Sequence, residues 1–150
     1  IDINIKALSK LTKHFLPMII KAKQGGILNV ASTAAFCSGP KMAAYYGSKA
    51  YVLNLTEAIH EEVKKDGIKV SCLCPGPVKT SFQAKAGIEK SEGAKKYLME
   101  AKDVAKEGYK GFKKGKAIIV PGIKNKFLVN INKFVPRSIV RKIVLKTNEK

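Results

Sequence analysis

The chain has 150 residues, 45% of them apolar, which is enough for one globular domain with a buried core. It lacks an uninterrupted apolar run of the ~20 residues that a membrane-spanning helix needs, and its three cysteines lack the spacing of a disulfide framework or a metal site. The formal net charge is +18, and 12 of the 29 basic residues but only one of the 11 acidic residues lie from Tyr109 onward. This asymmetry indicates either an anionic partner or a solvated lysine-rich surface.

Helical and strand patterns alternate along the first half of the chain. Apolar residues between Ile3 and Lys23 recur at a helical period, although Pro17 should bend or break that helix. The run ILNVAS then predicts a short strand that is covered on both faces. A long helix is predicted from Ala43 until Gly67 closes it. Its apolar stripe would suit either a subunit interface or the helix's own sheet, and consists of Val52, Leu55, Ile59 and Val63.

The second half continues the alternation. IKVSCLCPG predicts another buried strand, Lys79 to Lys96 a mobile segment, Asp103 to Lys114 a helix and KAIIVPG a third strand. Apolar strands that alternate with helices predict an α/β fold with a parallel sheet. Two short amphipathic pieces follow Gly122, so we divide the chain into a folded region, residues 1–122, and a basic amphipathic C-terminal extension, residues 123–150.

Three polar side chains are placed where they can do chemistry together. Tyr45 and Lys49 are four residues apart, so they share one face of the predicted helix. A lysine ammonium beside a phenol favours the phenolate, which makes the phenol a usable proton donor or acceptor near neutral pH. Ser32 ends a predicted buried strand, and CPGPVKT ends the next one at the same edge, where open α/β sheets place their ligands.

Other candidate sites are weaker. SGPK, at 38–41, imitates the S-x-x-K of serine acyl enzymes, but that motif needs a helix and Gly39-Pro40 would break one. Tyr46 lies three residues from Lys49 and could replace Tyr45 geometrically. His14 and His60 have no obvious partners, so we expect structural or surface roles for them and no metal site.

Three motifs together resemble the short-chain dehydrogenase/reductase family. They are NVAS at a strand end, YYGSK at the start of a long helix and CPGPVKT after the following strand. Asn4 in DINIKAL fits a fourth position of the family pattern, and the resemblance extends to about Gly122. It implies a Rossmann-like, doubly wound parallel sheet, of which this chain would be the C-terminal half. KAIIVPGIKNKFL and the basic tail look closest to bacterial 3-oxoacyl and 17β-hydroxysteroid reductases.

The resemblance also implies roles for individual residues. Tyr45 would be the general acid or base, and the Y-x-x-x-K pattern selects it over Tyr46. Lys49 would favour its phenolate and bind the nicotinamide ribose, while Ser32 would hold the substrate oxygen. Asn4 would support a water that links Lys49 to solvent. The cofactor would be NAD or NADP, with NADP favoured, and its nicotinamide would be lined by Pro75, Gly76, Val78 and Thr80.

The chain departs from the family in one large respect. The glycine-rich turn that cradles the cofactor pyrophosphate and the residue that selects NAD or NADP are missing from this sequence. We therefore expect this chain to be part of a longer protein. The 150 residues in isolation are expected to bind dinucleotide poorly and to be inactive. The alternative is an inactive fragment, or a scaffold or membrane-surface module that keeps the fold.

Several expectations about partners follow from the same reading. The substrate would be a small carbonyl or alcohol, with acyl or lipid-like molecules suited to the amphipathic tail, and the assembly a homodimer or homotetramer. Nucleic acid is not expected, because no aromatic-rich strand or known recognition motif accompanies the basic residues. The tail pattern also suits peripheral contact with anionic membranes. The odd, unpaired cysteines suit a reducing cytoplasm.

Overall fold

A computed structural model describes residues 1–80 and 98–148 of the chain. The α-helices in these ranges are α1 (Leu8–Ala22), α2 (Ala43–Val63), α3 (Ala101–Lys113), α4 (Ile123–Ile131) and α5 (Arg137–Asn148). The strands are β1 (Gly26–Val30), β2 (Lys69–Leu73), β3 (Val78–Lys79), β4 (Met99–Glu100) and β5 (Ile118–Ile119). A π-helix covers Asp2–Ala7, and short 3₁₀ helices cover Thr33–Phe36 and Lys64–Asp66.

The main sheet is parallel throughout, with the strand order β1-β2-β5. Gly26 pairs with Lys69 and Val30 with Leu73, so β1 and β2 are in register along their whole length. Helix α2 connects β1 to β2, and α3 lies between β2 and β5 in the chain, which is the crossover arrangement that parallel neighbours require. A second parallel pair, β3 with β4, places Val78 opposite Met99.

Helices cover both faces of this sheet. On one face, α1 and α2 pack against the alternate β2 residues Val70 and Cys72, which are fully buried. On the other face, Val104 of α3 packs against Leu73 and Ile119. The predicted α/β fold with a Rossmann-like, doubly wound parallel sheet is confirmed.

The apolar stripe of α2 packs on its own sheet. Ile59 and Val63 join Ile68 and Val70 in one cluster, and Val52 joins Cys72 in the next. Of the two roles that the sequence left open for this stripe, the structure therefore supports sheet packing.

Helix α1 continues through Pro17 rather than breaking there. A proline removes one helical hydrogen bond, and Pro17 is exposed, so solvent can satisfy the carbonyl that loses its partner. The irregularity lies instead at the start of the predicted helix, where Asp2–Ala7 is π-helical. Lys23, in the left-handed conformation, ends α1.

The two amphipathic pieces of the C-terminal extension form helices α4 and α5. Val129 and Val140 are buried, and Asn148 donates a hydrogen bond to the Pro40 carbonyl oxygen at 2.8 Å, so the extension packs on the rest of the structure. The domain boundary at Gly122 stays a prediction. The predicted mobile segment, Lys79 to Lys96, lies outside the described residues from position 81 onward. Within residues 1–80 and 98–148, no helix has both the length and the apolar character needed to cross a bilayer.

Candidate functional site

The candidate site lies at the carboxyl ends of β1 and β2. Beyond the last paired residues, the Ala31 N–H donates to the Leu73 carbonyl at 2.8 Å, and the Thr33 N–H donates to the Pro75 carbonyl at 2.9 Å. These two bonds hold the segment after β1 against the segment after β2. The predicted serine and the predicted nicotinamide loop are thereby brought to one edge of the sheet, as expected for an open α/β fold.

Ser32 has extended backbone and caps the 3₁₀ helix Thr33–Phe36. Its hydroxyl oxygen accepts a hydrogen bond from the Ala34 N–H at 3.1 Å. A hydroxyl that accepts one bond still has its hydrogen to donate. The half-buried Ser32 is thus held in place by its oxygen while its proton can point to a ligand oxygen.

Tyr45 and Lys49 share one face of α2, as the spacing predicted. The Lys49 Nζ is 5.9 Å from the centroid of the Tyr45 ring, which is the outer limit of a cation–π contact. The same Nζ donates to the Val30 carbonyl at the end of β1, at 3.1 Å. This bond ties the ammonium to the sheet edge that also carries Ser32.

Burial makes the Lys49 ammonium less stable than a fully solvated one. Loss of water around the half-buried side chain lowers the pKa of Lys49 from its ordinary value, while the thiols of Cys72 and Cys74 act in the opposite direction. Desolvation, which disfavours the charged form, is the larger of these causes, so the pKa is lowered overall.

Asn4 reaches the site through a residue that the sequence analysis did not single out. Its side-chain amide donates to the Ser48 hydroxyl at 3.1 Å, and that hydroxyl donates to the Tyr45 backbone carbonyl at 2.8 Å. Asn4 therefore lies against α2 between the positions of Tyr45 and Lys49, and its role in holding a water stays a prediction. Ser48 follows Tyr45 by three residues, which is the spacing at which a helical serine can bond back to a carbonyl.

The predicted nicotinamide loop is braced by the C-terminal extension. Val78 is in β3, while Pro75, Gly76 and Thr80 lie in the adjoining turns. The Asn125 side chain of α4 packs directly on Gly76, so a Cβ at this position would overlap the amide. Asn125 is itself fixed by a 2.9 Å hydrogen bond to the Pro121 carbonyl. The sequence predicted the loop but gave no sign of this brace.

The two adjacent tyrosines have different surroundings. The Tyr46 ring packs on Gly39 so closely that a Cβ there would overlap it, and its hydroxyl lies near the Asn148 side chain of α5. Burial raises the pKa of Tyr46, and the nearby Asn148 side chain lowers it by a smaller amount. Tyr46 is thus a packing residue between α2 and the extension, which leaves Tyr45 as the tyrosine beside Lys49.

An open cavity of about 560 Å³ lies next to this site. Its walls are the loop at 35–40, the outer side of α2 at Tyr46, Ala50 and Asn54, and Arg137 of α5. Ser32, Tyr45 and Lys49 are not lining residues, so the cavity adjoins the predicted catalytic group without containing it.

The remaining candidates have structural surroundings. The Nδ1 of buried His60 is 2.6 Å from the Val70 carbonyl oxygen, whereas His14 is exposed and packs edge-on against Phe15. Cys72 and Cys74 are fully buried in the core. No group of three or more metal-ligating side chains occurs in the parts of the chain that the structure describes.

Comparisons with known proteins agree with this architecture. Residues 1–91 match the family model described as short chain dehydrogenase. Human "Dehydrogenase/reductase SDR family member 4" is 38% identical over 92 residues, which are 61% of this chain and 33% of that protein.

Two solved structures have the same fold. A 7β-hydroxysteroid dehydrogenase superposes with a TM-score of 0.85 at 21% identity, over 96% of this chain and 56% of that one. A Sphingobium yanoikuyae short-chain dehydrogenase in complex with NADPH superposes with a TM-score of 0.72 at 23% identity. The match covers 87% of this chain and 52% of that one. The chain therefore spans about half the length of these structures, and a third of the human relative is matched.

Proposed function

The chain belongs to the short-chain dehydrogenase family, and from that membership we propose that it forms the catalytic half of an NAD(P)-dependent oxidoreductase. The substrate is a small carbonyl compound in one direction and an alcohol in the other. The observation that carries the proposal is the position of Lys49, which is bonded to the end of β1 while it lies on the same helix face as Tyr45.

The donors at this edge fit the nicotinamide end of a dinucleotide. An ammonium has three hydrogens, and the Val30 carbonyl takes one, so Lys49 retains donors for ribose hydroxyls. The half-buried residues Pro75 and Gly76 lie at the same edge of the sheet, where the Pro75 carbonyl accepts a hydrogen bond from the Thr33 N–H, and we assign the carboxamide to this segment. When bound, the nicotinamide would supply or accept the hydride.

The residues of the chain would hold and move the proton. Tyr45 donates its phenolic proton to the carbonyl oxygen as negative charge develops there, and accepts it in the reverse direction. Ser32 donates a hydrogen bond to the same oxygen, which stabilises that charge. Lys49 holds its ammonium beside the phenol and binds the ribose hydroxyls, and Asn4 supports the supply of protons to Lys49 from solvent. Pro75, Gly76, Val78 and Thr80 position the nicotinamide.

Replacing Ser32 by alanine tests the proposal directly. We expect kcat for carbonyl reduction to fall by about 10²-fold, the loss typical of one oxyanion donor, with little change in cofactor affinity. The measurement is oxidation of NADPH and of NADH by the intact protein against a panel of carbonyl compounds. Ser38→Ala, an exposed serine of the same loop, is the matched control and should leave kcat unchanged.

The same assay decides the alternative of an inactive scaffold. If the intact protein oxidises neither cofactor with any carbonyl, and Ser32→Ala changes nothing, the enzyme proposal fails. We expect NADP to be preferred, and the rates with NADPH and with NADH in this assay test that preference. The isolated 150 residues should bind NADPH weakly, because the pyrophosphate-binding turn of the family is not among them.

We also propose a homo-oligomer formed through the outer faces of α1 and α2. Leu11, Phe15 and Met18 form an exposed apolar stripe on α1, where a soluble helix normally has polar residues. Tyr51 of α2 continues this surface, because its hydroxyl is 2.9 Å from that of Ser9. Contiguous exposed apolar area of this kind is typical of an interface.

Phe15→Asp should convert the oligomer to a monomer. A carboxylate in the centre of an apolar interface is desolvated without a partner, so we expect at least a tenfold rise in the dissociation constant. Light scattering during size-exclusion chromatography measures the mass. Tyr109→Asp, at an exposed aromatic residue of α3, should leave the mass unchanged, and an unchanged mass for Phe15→Asp would contradict the proposed interface.

We place the protein in the cytoplasm, a location supported by its cysteines. Cys37, Cys72 and Cys74 are free thiols, and free buried thiols are usual in a reducing compartment.

A further inference from the structure

The outward side of the C-terminal extension is apolar. Ile123 and Phe134 are 85% exposed and Phe127 is 65% exposed. We call the whole set of large exposed apolar residues in this region the tail surface: Ile123, Phe127, Leu128, Ile131, Phe134, Ile139 and Ile143.

The geometry of α4 shows that this exposure is systematic. Ile123, Phe127 and Ile131 are spaced by four residues, so they follow one another along one side of the helix. Val129, on the opposite side, is buried, and Asn125 packs on Gly76. A helix at the surface of a soluble protein normally turns its apolar side inward and its polar side outward. Helix α4 has apolar residues on both sides.

Helix α5 adds cations beside a smaller apolar stripe. Val140 is buried, whereas Ile139 and Ile143 are exposed one turn apart and have Lys142 and Lys146 next to them. Residues 123–148 contain seven basic residues and no acidic one: Lys124, Lys126, Lys133, Arg137, Arg141, Lys142 and Lys146. Lys126 lies 3.9 Å from Glu107 of α3. The C-terminal extension therefore exposes both large apolar side chains and an excess of cations.

We propose that the tail surface docks onto the headgroup region of an anionic lipid bilayer. Large apolar side chains gain by entering the boundary between headgroups and acyl chains, and each lysine or arginine near an anionic leaflet adds to the attraction. A second copy of this chain is a poorer partner, because it would bring two sets of seven cations together.

Docking in this orientation would bring the candidate site close to the membrane. Asn125 of α4 contacts Gly76, and α4 also packs near the 3₁₀ helix that follows Ser32. The loops of the candidate site thus lie next to the helices that would rest on the bilayer. Binding to membranes does not depend on the proposed redox chemistry, so the two proposals fail independently.

Sedimentation of the intact protein with lipid vesicles tests the proposal. One set of vesicles is phosphatidylcholine alone, and the other contains about one-third phosphatidylglycerol. We expect binding to the anionic vesicles that weakens as salt is raised, and at least tenfold weaker binding to the neutral ones.

Replacing Phe127 and Phe134 together by serine should reduce binding to anionic vesicles by at least tenfold. Replacing Arg141, Lys142 and Lys146 together by glutamine should reduce it by about fivefold per removed charge at low salt.

Matched variants on α3 serve as controls. Tyr109→Ser removes an aromatic residue that is 62% exposed. A second control replaces three exposed lysines by glutamine, as many charges as the α5 variant loses: Lys102, Lys106 and Lys110. Both should bind vesicles like the unchanged protein. Equal losses for the α3 and tail variants would overturn the proposal in favour of general attraction by net charge. The unchanged protein could also sediment in the absence of vesicles. If replacing Phe127 and Phe134 abolished that sedimentation, the tail surface would be a self-association surface and the membrane proposal would be overturned.

Discussion

Replacing Tyr45 by phenylalanine is expected to lower kcat for carbonyl reduction by about 10³-fold or more, within the range for loss of a general acid. The change removes one oxygen and keeps the ring that packs edge-on against Tyr46 at 5.9 Å. Folding and cofactor affinity should therefore be nearly unchanged. The measurement is single-turnover reduction with the cofactor in excess, together with cofactor titration and a thermal melt.

Tyr46→Phe is the matched control for this experiment. It removes the same atom one residue away, from a half-buried hydroxyl that lies near the Asn148 side chain. We expect a small loss of stability, of about 1 kcal/mol, and little loss of kcat. If Tyr46→Phe were the inactive variant and Tyr45→Phe the active one, the proposed general acid would be wrong.

The elements that the sequence predicts best are those with the most uniform environment. β1 and β2 are short runs in which most side chains are apolar, because helices cover both faces of the sheet. Helix α2 is equally clear, since Gly67 adopts the left-handed conformation at the end of the 3₁₀ turn that follows it. Family membership and the parallel sheet follow from these runs and the motifs that end them.

The features that the sequence does not predict depend on contacts between distant residues. Nothing near Gly76 in the sequence indicates that Asn125 will pack on it, almost fifty positions later. The link from Asn4 through Ser48 to the Tyr45 carbonyl likewise needs two helices to be placed first. Local sequence propensity cannot predict such contacts, because they form only after the sheet has brought the helices together.

The amphipathic character of the extension was predictable, but not the side it would bury. Helical periodicity shows that α4 and α5 have apolar residues at regular spacing. It cannot decide which of two apolar sides packs inward when a helix has both, as α4 does with Val129 on one side and Phe127 on the other. That choice is made by the surface on which the helix packs.

The position of Lys49 joins the packing of α2 to its proposed chemistry. The residues of α2 that face the sheet fix the helix against β2, so the neighbouring face presents Tyr45 and Lys49 at the ends of the strands. Lys49 then bonds to the Val30 carbonyl and is partly desolvated there. A site that needs a cation at this edge must accept the free energy cost of burying it.

Lys49→Met should therefore lower activity and not stability. Methionine keeps an unbranched, flexible side chain that is only one atom shorter than lysine, and it removes the charge. Without the ammonium beside the phenol and its bonds to ribose, we expect kcat/KM to fall by about 10³-fold. At pH 7 the free energy of unfolding should be equal to or higher than that of the unchanged protein, as measured by urea denaturation. Lys106→Met, at an exposed position of α3, should change neither quantity.

The pH dependence of stability distinguishes this explanation from simple loss of a hydrogen bond. Because burial lowers the pKa of Lys49, the folded protein releases this proton at a lower pH than the unfolded chain does. Below the folded pKa the ammonium is charged in both states, and the cost of burying it is fully present. As the pH rises from the folded pKa towards the ordinary lysine value, that cost is progressively removed. The stability advantage of Lys49→Met should thus be largest near neutral pH and shrink in the alkaline range. A variant that is less stable at pH 7 would mean that the bond to Val30 outweighs desolvation, and that this cation stabilises the fold.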